Sequence, residues 1–133
     1  VIIERARHKF EALMCNYAMA GHIISLYGAR HGLLQEDPLW QTWEGHHAAA
    51  IVNGSAVLQC LQNAAASYDA ARDAEVMAAS FRRHSPPSVA WAREAVSLTR
   101  RAVSEVTMAQ NMALLMRFAV VQEYDAANMF LNR

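Results

Sequence analysis

His84-Ser85-Pro86-Pro87-Ser88 is the stretch whose reading decides the fold. Two successive prolines exclude a helix running through, because each lacks an amide proton and its ring collides with the preceding turn. Both fit the first turn of a helix that begins there, and Ser85 or Ser88 offers a side-chain oxygen to cap it. From Ser88 to Arg133 the next 46 residues contain neither Gly nor Pro. Within them Val89, Ala92, Val96, Thr99, Val103, Val106, Gln110 and Ala113 recur at helical spacing and predict the inner stripe of one long helix. After Met112 the apolar face broadens through Leu114, Leu115, Phe118, Val121, Tyr124 and Met129. A rod of that length would reach about 65 Å, too long to bury in a compact globule.

Working back toward the N-terminus, Gln35-Glu36-Asp37-Pro38 is a second punctuation of the same kind, with Asp37 placed to cap and Pro38 to open a helix. Leu39, Trp40, Trp43, His47, Ala50, Ile51, Leu61, Ala65 and Tyr68 then continue at helical intervals. Asn53-Gly54-Ser55 is the weak point, since all three lower helix propensity. Ahead of the first punctuation, Ile3, Ala6, Phe10, Leu13, Tyr17, Ala20, Ile24 and Tyr27 lie on one helical stripe. No segment alternates apolar and polar residues as a half-buried strand would. The expected fold is all-α: an elongated antiparallel bundle of three long helices in a single domain over residues 1–133, or four helices if the middle one breaks near Gly54.

Composition narrows the function classes. The chain has 133 residues, 54% of them apolar, and twelve Lys+Arg balance twelve Asp+Glu. Zero formal charge argues against a nucleic-acid coat or a polybasic membrane binder. There are 26 Ala, against 30 Leu, Ile, Val and Phe together, so the apolar fraction comes largely from small side chains. Ala12 to Ala29 and Gly45 to Tyr68 run for 18 and 24 residues without Asp, Glu, Lys or Arg. The first is about the minimum for a transmembrane span, so membrane association is one expectation. Asn16, His22 and Ser25 weigh against it, because unpaired polar groups in hydrocarbon cost several kcal/mol each. The chain opens on Val1, as after removal of a leader, which points to a processed organellar (mitochondrial) or membrane-associated complex.

Chemistry-bearing constellations are sparse. Cys15 and Cys60 lack metal-ligand spacing and read as small buried thiols. All five glycines are dispersed through helical segments, so no loop cradles phosphate. Counting from the two turns, His22 falls level with His46 and His47, and His47 falls near Glu123. Glu44 and His47 share one helical face, which makes His22, Glu44, His47 and Glu123 the candidate metal set, in the manner of carboxylate-bridged bundle sites. No cofactor is implied, and no catalytic residue stands out. Met108, Met112 and Met116 repeat every fourth residue, and a flexible thioether stripe suits an adaptable contact surface. With Phe118 and the Trp40/Trp43 pair they are the candidate partner contacts. The chain therefore reads as a non-enzymatic helical accessory subunit that meets protein subunits of a larger complex, or a second copy of itself. The alternatives are a membrane-embedded accessory subunit and a metal- or cofactor-binding bundle.

Overall fold

A computed structural model describes residues 2–30 and 37–132. They form three helices, α1 (Ile2–Arg30), α2 (Pro38–Ala79) and α3 (Pro86–Leu131), and no strand occurs among the described residues. Both punctuations act as read. Asp37 caps α2, its Oδ1 accepting from Leu39 N at 2.9 Å, with Pro38 in the first turn. Residues 31–36 of that connection lie outside the described residues. Ser85 caps α3, accepting from Ser88 N at 3.4 Å, and the Ser88 hydroxyl donates to Ala78 O at 2.9 Å, tying the new helix to the end of α2. His84 reverses the chain in the left-handed region (φ 64), where a non-glycine residue is uncommon.

α2 runs unbroken through Gly54, so the four-helix alternative is not adopted. The reason lies in α1. A methyl group on Gly54 would meet the Met14 thioether, and would come within 3.2 Å of Met116 Sδ. Two more glycines repeat this seam in the opposite sense. A methyl on Gly21 would enter the His47 ring, and one on Gly28 would enter the Trp40 ring. Along the antiparallel pair, Met14 faces Gly54, Gly21 faces His47 and Gly28 faces Trp40. Each layer sets a large side chain against bare backbone.

The α2–α3 pair closes on small residues. Ala50, Ala64, Ala71 and Ala74 of α2 are buried, as are Ala95, Ala102, Ala109, Ala119, Ala126 and Ala127 of α3. Ala95, Ala102, Ala109, Met116 and Glu123 fall at heptad intervals, the spacing that keeps one seam facing a partner along a whole rod. This is not the stripe read from the sequence. Val89, Val96 and Val103 are 37%, 51% and 61% exposed, while their neighbours Ala95 and Ala102 are buried. Alanine lets the two backbones approach closely, and the valine stripe is left one helical step aside.

α1 lies over the groove between α2 and α3. Phe10, Met14 and Tyr17 pack on the cluster of Ala50, Met116 and Ala119, and Ile3 and Phe10 on that of Val57, Cys60, Leu61 and Ala109. A surface hollow lined by Ile2, Ile3, Tyr68 and Arg72 marks the level at which α1 begins. Beyond it, among the described residues, the α2–α3 hairpin extends to its tip, with an open hollow of about 720 Å³ lined by Glu75, Ala79, Phe81, Ala92, Val96 and Thr99. Among the described residues no helix is long and apolar enough to cross a membrane, so the span considered for Ala12–Ala29 does not arise there.

Candidate functional site

Where the three helices meet, one polar cluster sits inside an otherwise apolar wall. His47 Nδ1 lies 2.7 Å from Glu123 Oε1, joining α2 to α3 across the seam. The imidazole packs against two rings. Tyr17 of α1 stacks on it at 5.0 Å between centroids and 25° between planes, and Trp43 of α2 at 5.2 Å and 15°. The ring edge rests against bare backbone at Gly21. Trp43 in turn tilts against Trp40 at 5.1 Å. Three helices thus fix one histidine from three directions.

Glu123 is 6% exposed, and its other oxygen, Oε2, is buried without a hydrogen-bond partner, as is the Tyr17 hydroxyl. Burial pushes the Glu123 carboxyl up to about 7 and pushes the His47 imidazole below its ordinary value. Both shifts have one cause: a charge withdrawn from water is disfavoured, whichever its sign. Both therefore favour the neutral pair, in which the carboxyl O–H donates to an uncharged imidazole. Beside the pair lies a cavity of about 160 Å³, lined by Tyr17, Ile24, Trp43, Val120, Glu123 and Tyr124 among others.

Of the four candidate metal ligands, the structure brings together His47 and Glu123 and leaves the other two outside. His22 follows Gly21, the residue that faces His47, so the helical step turns it away, and it is exposed. Glu44 follows the buried Trp43 and is exposed for the same reason. No group of three or more His, Cys, Asp or Glu among the described residues is placed to hold a metal ion. The four-residue metal set is therefore withdrawn.

The candidate partner residues divide. Trp40, Trp43 and Met116 are 9%, 1% and 4% exposed, and so belong to the interior of this chain rather than to a contact surface. Met112 is half-buried against the Val57–Ala109 cluster. Met108 and Phe118 are exposed. The methionine run winds from outside to inside because a four-residue step advances about 400° and drifts around the helix. The broadened apolar face read after Met112 is the part left outside: Leu114, Leu115, Phe118 and Val121 are each at least 50% exposed on α3. Cys60 is buried, its thiol pushed up by burial and by Glu105, whereas Cys15 is exposed, against the reading of both as buried.

Comparison with family models, with curated proteins and with solved structures finds no match for this chain.

Proposed function

We propose that this chain is a non-enzymatic helical accessory subunit that works by helix–helix contact with other protein chains. The observation that carries this reading is the outer face of α3, where Leu114, Phe118, Val121 and Tyr124 are 64%, 65%, 51% and 67% exposed within a few turns of one another. Contiguous exposed apolar surface is uncommon on soluble monomers and marks contact sites. α1 adds a second such run, in Met19, Ile23 and Leu26. The polar cluster at His47 supports the subunit reading in a different way. Two aromatic rings stack on its imidazole and the Glu123 carboxyl is tied to it, which supports a part in holding the helices in register.

The test is a photo-crosslinking residue placed at Phe118, with another at the exposed polar Glu94 as control, in the cell from which the chain is taken. A discrete protein adduct from position 118 that is absent from position 94 supports the reading. Equal, diffuse labelling from both positions overturns it.

A further inference from the structure

We propose that the open end of the α2–α3 groove receives a short amphipathic helix of a partner chain that carries carboxylates along one flank. The proposal rests on the subunit reading for the kind of partner, and it places that partner on a second surface. Trp40, His47 and Gly54, the α2 residues that face α1, recur every seven residues. The same series continues through Leu61 and Tyr68, level with Ile2, to Glu75 in the wall of the open hollow. On α3, Thr99 and Ala92 of that hollow stand two and three heptads before Ala113, which lies in the patch on which Phe10 packs. A seven-residue repeat keeps one seam facing a partner helix, so the hollow continues the bed that α1 occupies. It runs about 17 Å from Tyr68 to Ala79, or three helical turns.

Charge selects the occupant. Val89, Val96 and Val103 form an exposed heptad row along the α3 rim. Arg93 and Arg100 run beside it at the same interval and line the hollows there. Neither makes an ion pair among the described residues. An apolar row flanked by like charges at heptad spacing is how one helix specifies the charge of another. Arg83 adds a third cation toward the tip, and Glu75, on the α2 wall, is the one carboxylate in the lining. The acidic flank of the partner therefore faces α3. A second copy fits poorly: the first turns of its α1 bring Arg5, Arg7 and Lys9 against only Glu4 and Glu11, and its own hairpin tip would set arginine against arginine. An anionic membrane would meet the arginine rim but not the recessed floor at Ala78 and Ala92.

The experiment is fluorescence anisotropy with two dye-labelled synthetic helices of about 14 residues, each two heptads with Leu at the apolar positions, one flanked by Glu and the other by Lys. The expected result on the intact chain is saturable binding of the Glu peptide, with Kd on the order of 0.1 mM or tighter. The Lys peptide should bind at least about ten-fold more weakly at low salt. Arg93→Glu/Arg100→Glu changes two exposed side chains and should reverse that preference, with helical content and melting as in the wild type. Val96→Glu, also at an exposed position, should weaken binding of both peptides. Equal binding of the two peptides, a preference unchanged in the double variant, or no binding of either would each overturn the proposal. So would two other outcomes. Co-sedimentation with vesicles of phosphatidylcholine and phosphatidylserine, lost in the double variant while neither peptide binds, would assign the tip to a membrane. Self-association abolished by Val96→Glu would assign it to a second copy. Phe118 lies about 27 Å further along α3 than Arg100, so the photo-crosslink placed there stands or falls separately.

Discussion

At the scale of single residues, the His47–Glu123 pair makes the stability of the fold depend on pH in a way that can be worked out in sign. Glu123 has a folded pKa of about 7 against an ordinary 4.5. A raised carboxyl contributes its full stability below 4.5 and loses it as pH rises through about 7, because the unfolded chain ionises first. His47, lowered from 6.5 by burial, acts in the opposite direction: its contribution is present above 6.5 and is lost as pH falls below it. The two limbs overlap, so the wild-type curve alone does not separate them. Glu123→Gln does, since it removes one limb and keeps a hydrogen-bonding partner for the imidazole. The difference in unfolding free energy between this variant and wild type, from chemical denaturation, should be near zero at pH 4 and grow to a stabilisation of at most about 3 kcal/mol at pH 8. A difference that stays constant across that range would show that Glu123 is not held in the interior as described.

The same pair shows how much of the site was legible. Counting outward from Pro86-Pro87 brings Glu123 level with His47, and the structure places them 2.7 Å apart. Tyr17, Gly21 and Trp43 complete the enclosure, and no spacing rule picks them out together. Their meeting depends on the rotation of α1 about its own axis, which a stripe of similar apolar residues leaves open by a helical step. His22 and Glu44 were misplaced for this reason: each is one residue from a position that faces inward.

At the scale of elements, helix ends were legible and helix faces less so. Proline, Asp37 and Ser85 act locally, so their effect can be read without knowing the partner. Which stripe of α3 is buried depends on what α2 brings. With Ala50, Ala64 and Ala71 opposite, close backbone approach outweighs the larger apolar area of Val96 and Val103. Glycines divide along the same line and give a paired prediction. Gly28 lies against the Trp40 ring, so Gly28→Ala forces a shift of a rigid side chain and should destabilise by about 1–3 kcal/mol despite better helix propensity. Gly45 has nothing near the position of an added methyl, so Gly45→Ala should stabilise by about 0.5–1 kcal/mol. Chemical denaturation of the two variants checks both signs; like signs would contradict the seam. Enlarging the alanine seam is a stricter test. Ala64 is fully buried, and Ala64→Leu should cost about 1–3 kcal/mol through overpacking, whereas the same change at the exposed Ala66 should be within about 0.5 kcal/mol of neutral.

At the scale of the whole molecule, the helices differ in length, with 29, 42 and 46 residues in α1, α2 and α3. Among the described residues, α1 covers the groove from Trp40 and Ala127 to about Tyr68. Past that level both hairpin helices keep an apolar flank in the open, at Val76 and Met77 of α2 and Val89 and Val96 of α3. Much of the burial within the chain is done by alanine, which contributes little area per residue. The large side chains Leu114, Phe118, Val121, Met19 and Ile23 stay outside. Three rods joined by small residues thus form a tight seam and an oily exterior at the same time. That imbalance is the physical content of the subunit proposal.

Light scattering on the chain, purified together with any protein that stays bound to it, measures this imbalance most directly. The account predicts a native mass well above 14.8 kDa, either of a self-assembled particle or of a complex with its partner, that falls to the single-chain value in the double variant Leu114→Glu/Phe118→Glu while its helical content is unchanged. A wild-type chain that stays at the single-chain mass, binds no other protein and melts as the double variant does would contradict it.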